Sequence, residues 1–335
     1  MLSAILYNSR KIDYLLKEYK LVINIVNLYL ILEGYRFLFY RFKEFMYYYT
    51  LYGKIKLVIV FIGNNCLSYM GKDGLKMKTR YVVSRDGAKI AYNITGKGQP
   101  LLLVHGGAGR YGKRLWEDTK WIDMLKEDYL IIAPDIRGYG ESDKSEDSEF
   151  YSIDNILEDF NIILKECNVE SFYYMGWSYG ATIGFQMCKN NKSLKKAVCA
   201  GSCFGDYFFK FVAPRLANMY EELNYKKKNN ALEEGNLSDE DKRWVEETNL
   251  QVLIAQYRAW EKWPSIMPSE VEAKVAIYSG TNDNKELLEQ LDYQKKELEE
   301  YAVELKIFDN LNHYGLVSEV DTVMPWILEF FQGDD

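Results

Sequence analysis

The sequence predicts an α/β fold: a mostly parallel sheet with helices on both faces and a helical cap inserted between late strands. Three observations lead there. From Leu101 onward, apolar runs of strand length alternate with amphipathic helical periods, and strand–helix alternation is what parallel crossover connections produce. The strand runs, Leu101 to Val104 first among them, are apolar throughout, as strands covered on both faces are. The chain has 335 residues, 48% hydrophobic and 27% charged, enough for a packed core in one large domain with an insertion, or in two domains.

The elements follow in order. From Arg80, two short strands flank the turn signal Asp86-Gly87. After the 101–104 strand, residues 129–134 read as a strand and 152–167 as an amphipathic helix with Ser152 as its N-cap. Residues 171–176 read as a strand, 180–190 as a helix and 194–202 as a strand. The interval 204–272 then breaks the alternation. Its period is helical, and Ser238 reads as the N-cap of one long helix over 239–263. Residues 274–280 are the next strand, a charged helix begins near Lys285, 302–309 is a further strand, and 319–332 a closing helix. An insertion between two sheet strands is expected to cover the C-terminal edge of the sheet, where open α/β sheets bind ligands. The expected organisation is therefore a core of residues 77–203 and 273–335 with a cap of 204–272.

Residues 1–76 stand apart. They contain no Pro, Trp or His, yet hold 11 of the 28 tyrosines, and their net charge is +6 against −13 for the remainder. Three readings compete. Membrane-surface helices fit the basic, aromatic composition, although the apolar runs 21–32 and 57–62 are short of the roughly 18 to 20 residues a spanning helix needs. A signal peptide lacks its small-residue cleavage pattern. Thirdly, the Leu, Ile, Tyr, Phe, Asn and Lys bias fits A/T-rich codons, and Lys72-Asp73-Gly74 can be encoded with a purine-rich AGGA ahead of Met77. The third reading is preferred: upstream sequence translated from an early start, with the domain opening at Met77.

Net charge is −7, which argues against a nucleic-acid partner. Five scattered cysteines with no C-x-x-C pair point to a reducing compartment, hence the cytoplasm. With His105 and His313 the only histidines, no imidazole-built metal site and no cofactor are expected.

The chemistry concentrates at strand ends. Gly176-Trp177-Ser178-Tyr179-Gly180 places a serine between two glycines at a strand-to-helix turn. His105-Gly106-Gly107-Ala108-Gly109 follows the 101–104 strand, and Pro134-Asp135-Ile136-Arg137-Gly138-Tyr139-Gly140 follows the next. Asp283 follows the 274–280 strand and His313 the 302–309 strand. A serine hydroxyl is a poor nucleophile until a base takes its proton, and His313 is the histidine that follows a late strand. An acid must hold that imidazole in one tautomer, and Asp283 fits the order Ser…Asp…His. Asp206, and less so Asp309, are rival acids.

This set, in this order, resembles the α/β-hydrolase superfamily over about residues 80–335. The resemblance implies a Ser178–His313–Asp283 triad and an oxyanion hole from the backbone N–H groups of Tyr179 and Gly107. It implies that His105 orders the oxyanion loop and that Asp135 and Arg137 brace it. The function implied is hydrolysis of small esters or related acyl compounds through an acyl-serine, with no cofactor, no nucleic acid and no membrane partner for residues 77–335. A proline iminopeptidase-like aminopeptidase is the alternative, although Ala108 and Gly176-Trp177-Ser178-Tyr179-Gly180 depart from that family's H-G-G-P-G and G-G-S-W-G. Haloalkane dehalogenases and epoxide hydrolases carry Asp at the elbow, where this chain has Ser178. A non-catalytic ligand-binding member of the fold is the remaining reading. Of the cap aromatics, Tyr207, Phe208, Phe211, Trp244, Tyr257, Trp260 and Trp263 read mostly as cap core, with one or two of them lining the pocket.

Overall fold

The structure is a computed structural model describing residues 77–234 and 237–333, together with six short strands within the first 76 residues. It divides into two units, Met1–Lys76 and Met77–Asp335. In the first, Val22–Asn24, Tyr29–Leu32 and Tyr35–Arg36 pair antiparallel, and so do Phe45–Leu51, Lys54–Ile62 and Asn65–Tyr69. The surface helices considered for this segment are not found at these positions. The run Leu57 to Phe61 is rich in β-branched and aromatic residues, which fit a pleated strand better than a helix. The other residues of this segment lie outside those described.

In the second unit we number eight strands: β1 (Arg80–Val83), β2 (Lys89–Gly96), β3 (Gln99–Val104), β4 (Tyr129–Pro134), β5 (Phe172–Trp177), β6 (Leu194–Ala200), β7 (Lys274–Gly280) and β8 (Glu304–Phe308). They form one sheet in the order β8-β7-β6-β5-β3-β4-β2-β1. All neighbours from β8 to β4 pair in parallel, and β2 pairs antiparallel with β4 and β1. The order reverses between β3 and β5, so the loops after those strands meet at one point of the C-terminal edge.

Among the described residues ten α-helices accompany the strands: α1 (Leu115–Asp118), α2 (Trp121–Leu125), α3 (Ile153–Glu166), α4 (Tyr179–Asn190), α5 (Ala213–Lys228), α6 (Asp239–Glu247), α7 (Leu250–Trp260), α8 (Lys285–Glu300), α9 (Gly315–Ser318) and α10 (Val320–Gln332). Strand β3 explains the all-apolar strand runs. Leu102 and Val104 enter one core with Phe160 of α3 and Ile183 of α4, while Leu101 and Leu103 enter the other with Trp121 of α2 and Ile327 of α10. Both faces are covered, so both sets of side chains are buried. Among the described residues no helix is long and apolar enough to cross a membrane.

The segment between β6 and β7 is helical, built on α5, α6 and α7. The single helix expected over 239–263 is instead two. Thr248 and Asn249 are extended, and Asn249 Oδ1 accepts the Gln251 N–H at 3.1 Å, so a new helix starts there. Lys227 Nζ donates to the carbonyls of Val245, Glu246 and Thr248 at 2.8, 2.7 and 3.0 Å, which occupies the carbonyls that the end of α6 leaves without helical partners. The expected N-caps hold: the hydroxyls of Ser152 and Ser238 accept from Asn155 N and Asp241 N.

Two buried charge clusters brace the loop after β4. Asp135 accepts from Lys113 N and Lys113 Nζ at 2.7 and 2.6 Å and from Glu141 N at 2.9 Å. Arg137, fully buried, forks onto both Asp159 oxygens at 2.7 Å and also reaches Asp86 at 2.7 Å and the Phe150 carbonyl at 2.6 Å. Burial pushes the Asp159 carboxyl up, against the pull of those Arg137 hydrogen bonds. Removing one partner of such a pair leaves a buried charge uncompensated. Arg137→Met is therefore expected to cost about 3–5 kcal/mol, read from the urea midpoint of unfolding.

Candidate active site

Strand β5 runs straight into α4, and the turn is made by Ser178 itself. Its φ of 55° and ψ of −115° lie where a residue with a Cβ is strained. The Ser178 N–H donates to the Ala200 carbonyl at 2.8 Å, tying the elbow to the end of β6, and the Ser178 carbonyl accepts from Thr182 N at 3.0 Å. The flanking glycines are required by close approach. A Cβ at Gly176 would lie 2.5 Å from the Gly180 carbonyl oxygen, and one at Gly180 would lie 2.3 Å from that of Val104. The sharp turn is thus packed against β3 without intervening side chains, and the Ser178 side chain is left half-buried at the sheet edge.

His313 follows β8. Its Nδ1 lies 2.8 Å from Asp283 Oδ1, a separation at which the ring nitrogen donates to the carboxylate. Asp283 follows β7 and its side chain is wholly buried, whereas that of His313 is 40% exposed and reachable from solvent. Two further donors hold the carboxylate: Ser279 Oγ to Oδ2 at 2.8 Å and Asn284 N to Oδ1 at 2.7 Å. Burial alone would raise the Asp283 carboxyl, but the hydrogen bond and charge of His313, with those two donors, outweigh it and hold it below the usual carboxylate range. The imidazole rests on the β6 end: a Cβ at Gly201 would lie 2.8 Å from His313 Cε1. Gly201 follows Ala200, the residue that holds the Ser178 N–H. Trp177 Nε1 donates to the His313 carbonyl at 3.0 Å, and the two rings lie 5.4 Å apart.

The rival acids lie elsewhere in their contacts. Asp206 is half-buried and paired with Lys210, and Asp309 is exposed.

The loop after β3 supplies the other side of the site. His105 is fully buried. Its Nδ1 lies 2.7 Å from the Gly106 carbonyl and its Nε2 accepts the Ile136 N–H at 3.1 Å. The ring is therefore neutral and bridges the loops after β3 and β4, and burial pushes its basicity down. Among the described residues the Gly107 N–H has no protein acceptor, and Gly107 packs against Tyr179: a Cβ there would lie 3.2 Å from the Tyr179 Cβ. The Tyr179 N–H opens α4 and is one of the donors a helix start leaves without a helical partner. Two backbone donors thus lie close to the serine turn, next to a helix N-terminus that favours negative charge.

Of the cap aromatics, Trp260 and Trp263 pack on the Tyr179 ring at centroid distances of 5.0 and 5.3 Å, and Phe208 stacks on Trp260. Phe211, expected in the cap core, is exposed. One contact went unforeseen: the Tyr257 hydroxyl, 149 positions from Ala108, accepts the Ala108 N–H at 3.1 Å.

A parallel sheet with a serine on the turn after its central strand, an acid after β7 and a histidine after β8 defines a class of hydrolase architecture. Residues 99–261 match the family model described as alpha/beta hydrolase fold. Residues 77–335 have the α/β-hydrolase fold. It is 33% identical over 109 residues to a cis-3-alkyl-4-alkyloxetan-2-one decarboxylase of Shewanella oneidensis, covering 31% of this chain and 32% of that protein. It is 26% identical over 129 residues to a proline iminopeptidase of Heyndrickxia coagulans, covering 38% of this chain and 43% of that protein. Among solved structures it resembles an epoxide hydrolase of Vigna radiata with a TM-score of 0.57 and 19% identity, over 77% of this chain and 98% of that one. Each sequence match thus spans well under half of the curated relative's length.

Proposed function

We propose that residues 77–335 form a serine hydrolase of small esters or related acyl compounds. The observation that carries this is the His313–Asp283 hydrogen bond of 2.8 Å at the same sheet edge as a serine held at φ 55°. With Nδ1–H donated to Asp283, the neutral ring keeps its Nε2 lone pair to accept the Ser178 proton. The Ser178 oxygen attacks the acyl carbon, and the Gly107 and Tyr179 N–H groups receive the developing oxyanion. The imidazolium returns its proton to the departing alcohol, leaving an acyl-serine. Water, deprotonated by the same nitrogen, then releases the acid and restores the serine. No step requires a cofactor.

The iminopeptidase relative supports a second reading, release of an N-terminal proline. The resemblance to epoxide hydrolases at 19% identity concerns the fold, and position 178 offers a hydroxyl where those enzymes need a carboxylate. Labelling by a fluorophosphonate, followed by a screen of p-nitrophenyl esters of rising chain length, lactones and proline anilides, tests these readings together. Labelling at Ser178 with ester turnover above anilide turnover is the expected result. Absence of labelling would return the chain to the ligand-binding reading. We further propose a cytoplasmic location, from the unpaired thiols of Cys167, Cys188, Cys199 and Cys203. Residues 77–335 alone are expected to unfold cooperatively and to keep the ester turnover of the full chain, because every proposed site residue lies within them. Aggregation of that shorter chain, or loss of its turnover, would make residues 1–76 part of the enzyme.

A further inference from the structure

We infer that the cap is part of the oxyanion hole's scaffold and that Tyr257 is the positioning residue through which it acts; this rests on the serine-hydrolase reading above. The loop after β3 is gripped from two sides. From within the core, the His105 Nδ1–H donates to the Gly106 carbonyl at 2.7 Å. That carbonyl and the Gly107 N–H belong to one peptide plane, so the bond aims the N–H. The next plane is fixed from the cap, where the Tyr257 hydroxyl on α7 accepts the Ala108 N–H at 3.1 Å. With both neighbouring planes pinned, the Gly107 N–H keeps one direction.

The grip matters because the loop does not hold this shape by itself. Ala108 has φ 66° and Gly109 φ 68°, both left-handed, and an alanine adopts that region only at a cost. Each residue of the strained stretch is met by the cap. Leu253 of α7 lies against Gly109 closely enough that a Cβ there would be 3.0 Å from its Cδ2. Arg110 pairs with Asp241 of α6 at 2.7 Å, and its guanidinium lies 4.7 Å from the Trp244 ring centroid. Tyr257 itself is buried and packs on Tyr220 of α5 and on Trp260, so its hydroxyl has a fixed position. The insertion between β6 and β7 thereby sets the geometry of a donor that follows β3.

The test begins with fluorophosphonate labelling carried to its end point on the full chain, which reports whether Ser178 is a nucleophile at all. With labelling complete in both proteins, kcat and KM for one p-nitrophenyl ester are compared between wild type and Tyr257→Phe. The phenylalanine keeps the ring packing and removes the acceptor. Misplacing a donor lowers turnover by about tenfold to 100-fold, so kcat should fall by that factor while KM stays within about twofold, because transition-state contacts are lost and ground-state contacts are kept. The double variant Tyr257→Phe/Ala108→Gly should recover at least part of kcat, since glycine takes the left-handed conformation without the strain that drives the loop away. A merely structural tyrosine would not be rescued by a change at residue 108. Unchanged kcat in Tyr257→Phe, a loss confined to KM, or no recovery in the double variant would each overturn the inference. Failure of wild type to label would instead overturn the serine-hydrolase reading.

Discussion

Ser178→Ala is expected to lose ester turnover by about 10⁴-fold or more and to lose all fluorophosphonate labelling, while unfolding at nearly the wild-type urea midpoint. The two halves of this expectation come from separate features. In the proposed mechanism the hydroxyl is the atom that forms the acyl bond. Among the described residues the hydrogen bonds that fix residue 178 are made by its backbone, to the Ala200 carbonyl and from the N–H and hydroxyl of Thr182. Alanine keeps them, and its Cβ bears the same strain at φ 55° that serine bears. Ser178→Gly sharpens the comparison. It should be equally inactive yet at least as stable as the alanine variant, because glycine relieves a cost of about 1 kcal/mol at a left-handed position. Turnover by Ser178→Ala above a tenth of wild type would remove the serine from the mechanism.

Much of this site could be read before any coordinates, and the reason is local. Turn chemistry is written in short strings. Gly176 and Gly180 flank a strand-to-helix turn, and the clashes a Cβ would meet at either explain why glycine stands there. Strand ends are announced by the stop of an apolar run, so Gly107, Ser178, Asp283 and His313 could all be placed on one sheet edge. What could not be read is tertiary. Asp206 and Asp283 both follow a strand, and only the side-chain contacts separate a half-buried partner of Lys210 from a buried carboxylate bonded to His313. Tyr257 was one of seven cap aromatics with no local mark of its contact with Ala108. The break at Asn249 was hidden because the apolar period continues through it, and the cap by Lys227 comes from another helix. Helices α1 and α2, of 4 and 5 residues, are too short to display a period.

Asp283→Asn should lower kcat by about three orders of magnitude, and Asp206→Asn should leave it nearly unchanged. The size follows from charge alone. In the proposed mechanism an imidazolium forms on His313 in the transition state beside a carboxylate. At a charge separation near 4 Å and an effective dielectric near 20, their attraction is about 4 kcal/mol, which is about a thousandfold in rate. Tautomer control need not be lost with it. An asparagine carbonyl in the place of Oδ1 still accepts from His313 Nδ1 and from Asn284 N, while its amide faces Ser279, whose hydroxyl can turn to accept. The substitution therefore isolates charge, and the fold should tolerate it. Asp283→Leu removes the acceptor too and should cost more activity, together with stability, since Ser279 and Asn284 lose their buried partner. Because His313 and its neighbours hold the Asp283 carboxyl below the usual carboxylate range, it stays ionised through the neutral region, and no fall in rate there should trace to its protonation. Measuring kcat for the two asparagine variants side by side decides the assignment. Equal and mild losses would mean that the acid serving His313 is neither of these residues.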